Sequence, residues 1–386
     1  MLYQAYQFQD DLVSVFRSSA RWSLGYAPSL PGPLGGHLMA ALAMVSRFQL
    51  THTRPAFNID SVRVGNRDVP VTEEVALDLP FGKLLHFAKD VDTPQPRILI
   101  VAPLSGHFSP VPMLIRRCSC DVPLDAGTFG VDDYLDYLIK FFDVIGPRSH
   151  VLAVCQPCVQ TLAAVAVMSQ ANHPATPISM TLMAGPIDPR ESPTEVNELA
   201  VAKSLSWFEN SVIHAVPRRY AGGGRRVYPG FIQLVAFMAM NMPRHTAAHR
   251  KLYHHLANGE EKEAAKIKDF YDEYFAVLDM TEEFYMETID RVFQRAELAQ
   301  GQFTYRGHKV DPGAIRKTAL LTVEGGRDDI CALGQTAAAH DLCNSLRPHL
   351  KRHHLQANVG HYGVFNGKRW EKEIYPVVRN MILAME

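Results

Sequence analysis

Short apolar runs, each ending in a turn and leading into a helical segment, constrain the fold of this chain more than any other feature of its sequence. The runs lie at residues 97–108, 150–158, 178–188, 317–329 and 350–361. Continuous apolar runs of this length are typical of strands that are buried on both faces, as in a parallel sheet. Because helical segments alternate with these strands, the pattern predicts an α/β fold with a mostly parallel, doubly wound sheet.

The chain length of 386 residues suits two domains, or one large domain with an insertion. Residues 1–60 mix apolar and polar positions, which predicts helices packed on the core. Residues 194–306 have helical periodicity almost throughout and lie between two predicted strands. We therefore expect an α/β core formed by residues 1–193 and 307–386, with residues 194–306 inserted as a helical cap.

Composition excludes several classes of protein. The chain has 39 basic and 40 acidic residues and no long basic patch, so a nucleic-acid partner is not expected. No apolar stretch reaches the roughly 18 residues of a transmembrane helix. The first residues contain neither a basic region nor an apolar signal segment, and six cysteines are too few for a disulfide scaffold. These features predict a soluble cytoplasmic protein whose cysteines are reduced.

Three chemically reactive residues follow three of the predicted strands. Cys158 lies at the turn after the strand that begins at residue 150, Asp328 and Asp329 follow the strand at 317, and His361 follows the last strand. The carboxyl ends of parallel strands meet at one edge of a sheet, where reactive groups gather. Nucleophile, acid and histidine in this chain order are typical of the α/β-hydrolase arrangement. The sequence therefore predicts a catalytic triad, with the choice between the two aspartates left open.

A second cysteine competes for the role of nucleophile. Small residues usually lie two positions before and after the nucleophile of such a turn, whereas Cys158 has glutamines at both positions. Cys155 has Ala153 two positions before it, and Pro157 suits a first helical turn. The expected length of the strand favours Cys158, so Cys158 is the predicted nucleophile and Cys155 its rival.

The predicted roles follow from the chemistry of these groups. The N-terminus of the following helix and a neighbouring imidazole lower the pKa of a thiol, so that Cys158 would attack an acyl carbon as a thiolate. His361 would act as general base and then as general acid, while Asp328 holds its tautomer. Backbone N–H groups would stabilise the oxyanion. The predicted oxyanion hole consists of Val159, Gly106 and His107.

Other interpretations of the cysteines and histidines are weaker. A buried cysteine often acts as a small inert hydrophobic residue, and C-Q-P-C resembles a redox pair, although it lies about 150 residues into a large chain. Cys118 and Cys120 have a spacing that is poor for structural zinc. His245 and His249 lack the glutamate of a zinc protease and are expected on a solvated helix face. These poor spacings predict no metal site. No bound cofactor is predicted either, because the usual phosphate-binding loops are absent from the sequence.

Residues 228–243 form a methionine-rich segment that is apolar on nearly all sides. Such a segment is typical of a helix buried within the cap. Because methionine side chains adapt to irregular surfaces, the segment is also suited to be an apolar wall that contacts a hydrophobic substrate. Both interpretations remain open at this point.

Several blocks of the sequence resemble the intracellular polyhydroxybutyrate depolymerases. They include VAPLSGHF, AVCQPCVQTLAAV, YPGFIQLVAFMAMNMPRH, VEGGRDDICALGQTAAAHDLC and NVGHYGVFNGKRW, and the similarity covers essentially the whole chain. The resemblance implies an α/β-hydrolase fold and cleavage of ester bonds in storage poly(3-hydroxybutyrate), on amorphous granules inside the cell. It also implies that the second cysteine of C-Q-P-C, Cys158, acts with Asp328 and His361.

Two alternative functions remain. Polyhydroxyalkanoate synthases resemble the core and form the same type of acyl-enzyme, but this chain lacks their G-x-C-x-G box. A non-catalytic protein of the granule surface would bind polymer without needing a triad. The expected partner in each case is the polymer or the granule surface. The sequence does not decide whether water or coenzyme A is the acyl acceptor, or whether the polymer is cleaved at chain ends or within chains. It also leaves open the oligomeric state, and a homo-oligomer is one possibility.

Overall fold

The computed structural model describes residues 2–26, 33–47, 56–91, 94–103, 114–240 and 242–386. The helices are α1 Leu2–Tyr26, α2 Pro33–Arg47, α3 Val131–Ile145, α4 Pro157–Gln170, α5 Glu195–Ala202, α6 Leu205–Val212, α7 Gly230–Met240, α8 Met242–Ala257, α9 Glu261–Tyr274, α10 Glu282–Glu287, α11 Ala339–Leu342, α12 Gly367–Arg369 and α13 Tyr375–Met385. The strands are β1 Ser61–Val64, β2 Arg67–Leu79, β3 Gly82–Lys89, β4 Ile98–Val101, β5 Leu114–Arg116, β6 His150–Val154, β7 Ser179–Met183, β8 His214–Ala215, β9 Arg226–Tyr228, β10 Met280–Thr281, β11 Thr304–Tyr305, β12 His308–Lys309, β13 Ala319–Gly325 and β14 Lys351–Gln356.

A five-stranded parallel sheet forms the centre of the fold, with the strand order β14-β13-β7-β6-β4. Every residue of β6, β7 and β13 is buried, which explains why these strands appear in the sequence as unbroken apolar runs. The predicted parallel sheet is therefore confirmed. Its strands all run in one direction, so the residues that follow β6, β13 and β14 meet at the same edge.

Helices cover both faces of this sheet, as the doubly wound pattern predicts. Ala153 and Leu182 belong to the apolar core on the face covered by α3 and α4. Val154 and Val323 belong to the core on the opposite face, where Val378 of α13 packs. Alternate residues of one strand thus serve two separate cores, because successive side chains of a strand point to opposite faces. This arrangement is the α/β-hydrolase fold.

An antiparallel sheet precedes the central one in the chain. Its strand order is β1-β2-β3-β5, with β2 and β3 joined by a tight turn after Leu79. The sequence has no apolar run at residues 67–74, where β2 begins. Most of β2 is exposed, and this exposure explains why its first half lacks the apolar run that marks a buried strand.

The segment 194–306 is mainly helical, as expected, but it also contains the short antiparallel sheet β10-β9-β8. Strands of two or three residues are too short to leave a pattern in the sequence. The segment contributes α5 to α10 and lies against the carboxyl edge of the central sheet, where it lines a cavity together with residues that follow β6 and β14.

The N-terminal helices contact this cap segment, not the sheet on which they were expected to pack. Tyr3 of α1 donates a hydrogen bond to Asp279 at 2.6 Å, and its ring meets Phe231 of α7 edge-on. Arg219 pairs with Asp11 of α1 at 2.7 Å. The sequence shows that α1 has a face to bury but does not show which surface it buries that face against. Within the described residues, no helix combines the length and apolarity that crossing a membrane requires.

Candidate active site

Cys155 lies on the sharp turn between β6 and α4, and its backbone φ of +65° is left-handed. Residues other than glycine rarely adopt this conformation, which costs on the order of 1–3 kcal/mol and is concentrated at functional sites. The backbone N–H of Cys155 donates to the carbonyl of Met183 at 2.8 Å, which ties the turn to β7. The nucleophile of an α/β-hydrolase lies on this kind of strained strand-to-helix turn. Residue 155 therefore has the backbone geometry of the nucleophile.

Gly185 allows the chain after β7 to approach this turn closely. A Cβ atom added at Gly185 would lie 2.2 Å from the Cβ of Cys158 and 2.9 Å from the carbonyl oxygen of Cys155. Both distances are far below van der Waals contact, so a side chain at residue 185 would push the turn away from β7. The close packing holds Cys155 in a fixed position.

Asp328 and His361 form a buried hydrogen-bonded pair at the same edge of the sheet. Nδ1 of His361 donates to Oδ2 of Asp328 at 2.8 Å. The other carboxylate oxygen accepts the backbone N–H groups of Ile330 and Cys331, at 2.9 and 2.8 Å. Both oxygens of Asp328 are thus engaged, while Asp329 is exposed to solvent. The structure places Asp328, and not Asp329, as the partner of His361.

His361 and Cys155 line the same cavity at this edge of the sheet. Burial lowers the pKa of His361, but the charge and hydrogen bond of Cys155, together with those of Asp328, outweigh burial and raise this pKa above its ordinary value. The structure therefore brings Cys155, His361 and Asp328 together at one edge of the sheet.

Cys158, the predicted nucleophile, is not part of this relay. It lies in the first turn of α4, is fully buried, and its thiol donates to the carbonyls of Ala153 at 3.3 Å and Met183 at 3.6 Å. Burial raises the pKa of Cys158 well above its ordinary value. A substrate has no access to this sulfur, so the geometry does not support Cys158 as the nucleophile. The choice of Cys158 rested on a strand that extends almost to residue 158. In the structure this strand, β6, already ends at Val154.

The predicted oxyanion donors change with the nucleophile. The N–H of Val159 donates to the carbonyl of Gln156 at 3.2 Å, as part of the helix start. The residue after Cys155 is Gln156, whose backbone N–H has no acceptor among the described residues. The other predicted donors, Gly106 and His107, lie outside the residues that the structure describes.

A cavity of about 400 Å³ lies between the side chains of Cys155 and His361 and the cap segment. Cys155, Gln156 and His361 line it on the side of the sheet, together with Pro103 after β4. The opposite side is mainly aromatic and includes Phe208, Tyr228, Phe237, Phe270, Phe284 and Tyr285. Since Phe237 belongs to α7, this helix contributes to the cavity wall, which is the second of the two interpretations of residues 228–243. The cavity is suited to an apolar acyl group.

The remaining cysteine motif differs from the expectation of reduced thiols. Cys118 and Cys120 are both buried and form a disulfide. Together with Asp121 they are the one group in the described residues whose donor atoms lie close enough to share a metal ion. Because the disulfide engages both sulfurs, neither is a thiolate that could bind zinc.

The pair His245 and His249 does not lie on a solvated helix face as expected. His245 is buried, and its Nδ1 shares a hydrogen bond of 2.9 Å with the hydroxyl of Tyr271 on α9. The ring of His249 lies against the ring of Tyr271, with 4.2 Å between centroids. The packing of α9 against α8 therefore covers these side chains, and single-sequence periodicity does not reveal which helices pack together.

Residues 184–386 match the family described as PHB de-polymerase C-terminus. This span is more than half of the chain and contains Asp328 and His361. A search of curated proteins gives no match.

Three solved structures are among those to which the chain is similar. The monoacylglycerol lipase of Paleococcus ferrophilus is 9% identical with a TM-score of 0.44, and the alignment covers 75% of this chain and 94% of that one. The enol-lactonase of Burkholderia xenovorans LB400 is 12% identical with a TM-score of 0.39, covering 84% and 99%. A thermophilic esterase of Thermogutta terrifontis is 10% identical with a TM-score of 0.38, covering 84% and 97%.

Proposed function

The chain belongs to the polyhydroxybutyrate depolymerase family and is a carboxylic ester hydrolase, and on this premise we propose that Cys155, His361 and Asp328 are its catalytic triad. The proposed substrate is intracellular storage poly(3-hydroxybutyrate), and the proposed products are 3-hydroxybutyrate or its short oligomers. The observation that carries the proposal is the position of His361, which donates from Nδ1 to Asp328 at 2.8 Å and lines the same cavity as Cys155.

Acylation starts with the thiolate of Cys155. The sulfur attacks the ester carbonyl carbon, a sulfur–carbon bond forms, and the carbonyl oxygen becomes an oxyanion. The free N–H of Gln156 lies directly after the nucleophile, where an oxyanion donor is needed. When the tetrahedral intermediate collapses, the carbon–oxygen bond of the ester breaks. The imidazolium of His361 then gives its proton to the departing alkoxide, and a thioester remains on Cys155.

Deacylation reverses these roles. His361, now neutral, removes a proton from water as the water oxygen attacks the thioester carbon. Cys155 leaves as a thiolate, His361 is again protonated, and a free carboxylic acid is released. Asp328 stabilises the imidazolium in both half-reactions through the Nδ1 hydrogen bond of 2.8 Å. Coenzyme A in place of water would release a coenzyme A ester by the same steps.

Release of soluble product from amorphous poly(3-hydroxybutyrate) granules tests the proposal. The wild type and Cys158→Ala are compared with Cys155→Ala, each with and without coenzyme A, and the products are identified by mass. We expect the wild type and Cys158→Ala to release 3-hydroxybutyrate or oligomers, while Cys155→Ala loses several orders of magnitude in rate. Activity of Cys155→Ala close to that of the wild type would overturn the triad. Polymer elongation in place of release would favour a synthase-like acyltransferase.

Association with the granule surface is part of the proposal, and α1 supports it. Phe8, Phe16 and Trp22 of this helix are 67%, 71% and 66% exposed, and Leu12 and Val15 are exposed as well. At 100° per residue, these five residues fall on one face, opposite the face that packs on the cap. An apolar face of this kind suits contact with an apolar polymer surface.

A further inference from the structure

Gln233 of α7 lines the same cavity as Cys155 and His361, and its side chain is almost completely buried, with an exposed fraction of 1%. Its side-chain nitrogen Nε2 donates to two backbone carbonyls, those of Tyr228 and Leu278, each at 3.0 Å. Both acceptors are carbonyl oxygens, so only the NH₂ group can face them. The orientation of the amide is therefore fixed by its surroundings.

The oxygen of this amide has no hydrogen-bond donor among the described residues. Buried polar atoms are almost always paired, and an exception calls for an explanation such as a missing ligand. An amide oxygen only accepts hydrogen bonds. A donor group on a molecule that enters the cavity would satisfy Oε1 of Gln233.

The polyester that we propose as substrate has few such donors. Along the chain it offers carbonyl and bridging ester oxygens, which are acceptors only. Its carboxyl end is ionised near neutral pH and is likewise an acceptor. The single donor is the hydroxyl group at the opposite end of the chain. An acceptor buried in this cavity thus distinguishes the hydroxyl end from every other part of the polymer.

Resting on the function proposed above, we propose that Gln233 is a specificity-determining residue that accepts a hydrogen bond from the terminal hydroxyl of the polyester. The enzyme then binds chains by their hydroxyl end, with the end unit in the cavity and the rest of the polymer leaving from the side of Cys155. The acyl group transferred to Cys155 carries the free hydroxyl, and the remaining polymer departs as the alcohol. Each cycle exposes a new hydroxyl end on the shortened chain.

The dimensions and lining of the cavity agree with an end-on mode of binding. Its volume of about 400 Å³ lies in the lower part of the range of roughly 300–1,000 Å³ for small-molecule sites, which suits a chain end better than a long internal segment. Tyr228 and Tyr285 also line the cavity, and their hydroxyls have no acceptor among the described residues. Burial raises the pKa of Tyr228 to about 12, so this hydroxyl keeps its proton and can donate to an ester carbonyl of the bound unit.

Defined 3-hydroxybutyrate oligomers test the inference with the unmodified enzyme. One oligomer has a free hydroxyl end, and the second has hydrogen in place of that hydroxyl, which removes the donor without adding bulk. A third, with a free hydroxyl and a methyl ester at the carboxyl end, is the control. We expect kcat/KM for the second oligomer to be lower by on the order of tenfold to a hundredfold, while the control differs little from the first.

A pair of variants locates the effect. Gln233→Met keeps the length of the side chain but removes the acceptor, and it should bring the ratio of the two kcat/KM values close to one. Thr288→Val is the matched control, because Thr288 lines the same cavity but its hydroxyl already donates to the carbonyl of Phe284 at 2.7 Å. Thr288→Val should keep the wild-type ratio of kcat/KM for the hydroxyl-ended and hydrogen-ended oligomers.

The possible outcomes separate this inference from the function on which it rests. Equal kcat/KM values of the wild type for the hydroxyl-ended and hydrogen-ended oligomers would overturn the role of Gln233 and leave the depolymerase function standing. Hydrolysis of none of the oligomers would contradict the proposed function and this inference together. If Gln233→Met fails to fold, the comparison of oligomers with the wild type still decides the inference.

Discussion

The imidazole of His361 is buried beside Asp328 and Cys155, and these two neighbours influence its protonation state. Asp328 accepts its Nδ1 proton, and Cys155 lines the same cavity. The two groups together raise the pKa of His361 despite its burial. A protonated His361 is the form that protonates the leaving alkoxide, so acylation requires this proton to remain bound at the working pH.

A pH profile with Asp328→Asn tests this account at the level of single residues. Since the folded pKa of His361 is raised, activity should persist above the ordinary histidine range and fall as pH rises through the raised value. Asp328→Asn removes a group that raises this pKa, so the alkaline limb of kcat/KM should move to lower pH, together with a loss of activity. The measurement is kcat/KM against pH with a soluble oligomer.

The neighbouring carboxylate provides the control for this experiment. Asp329 is exposed and lies beside Asp328 in the chain, so Asp329→Asn changes the charge by the same amount. Its pH profile should match that of the wild type. If both variants shifted the alkaline limb equally, the effect would come from net charge and not from the hydrogen bond to His361.

The choice between two cysteines three residues apart shows what the sequence does not determine at this scale. The chain order of nucleophile, acid and histidine points to the turn after β6, to the aspartates after β13 and to His361, which the structure brings to one edge of the sheet. It does not identify which cysteine lies on the turn, because that depends on the residue at which β6 ends. The left-handed backbone of Cys155 and the helical position of Cys158 are properties of the folded chain. Two sequence signals favour Cys155, namely Ala153 two positions before it and Pro157 two positions after it.

Among the elements, the turn between β6 and α4 depends on its contact with the chain after β7. Gly185→Ala places a Cβ atom within 2.9 Å of the carbonyl of Cys155 and within 2.2 Å of Cys158 Cβ. We expect this variant to lose about 1–3 kcal/mol in the free energy of unfolding and most of its activity, because the turn must move. Urea denaturation and oligomer hydrolysis measure the two effects. Gly25→Ala is the control, since an added Cβ there meets no atom within 4 Å.

Helix α1 has two apolar faces, of which the cap covers one. The triple variant Phe8→Ser, Phe16→Ser, Trp22→Ser removes large side chains from the exposed face, so it should weaken partitioning of the protein onto poly(3-hydroxybutyrate) granules. Hydrolysis of soluble oligomers should remain unchanged, because none of the three residues lines the catalytic cavity. Co-sedimentation with granules is the measurement. Gln9→Ala, an exposed polar position of the same helix, serves as control, and unchanged sedimentation of the triple variant would exclude α1 as the contact.

The elements that the sequence predicts best are those that are buried on all sides. Strands β6, β7 and β13 appear in the sequence as apolar runs. The short strands β8 to β10 escape prediction because two or three residues have no period. The packing of α1 and α2 on the cap is not predicted either. The amphipathic pattern of a helix shows that one face is buried but not which surface covers it.

At the scale of the whole molecule, the cap segment and the core together enclose the apolar cavity that the proposed triad faces. The core supplies Cys155, His361 and Asp328, and α7 supplies Gln233 and Phe237 on the other side of the cavity. The N-terminal helix is joined to the cap by the hydrogen bond between Tyr3 and Asp279. The proposed triad and the opposite wall of the cavity therefore come from distant parts of the chain. Their relative position depends on how the core and the cap segment pack together.

The most direct test of the central claim is to identify the residue that carries the acyl group. The wild type is mixed with a hydroxyl-ended 3-hydroxybutyrate oligomer and quenched in acid, which preserves thioesters, and the added mass is then mapped by peptide mass spectrometry. We predict a 3-hydroxybutyryl thioester on Cys155 that is absent from Cys155→Ala and present in Cys158→Ala. A thioester mapped to Cys158, persisting in Cys155→Ala, would contradict the account.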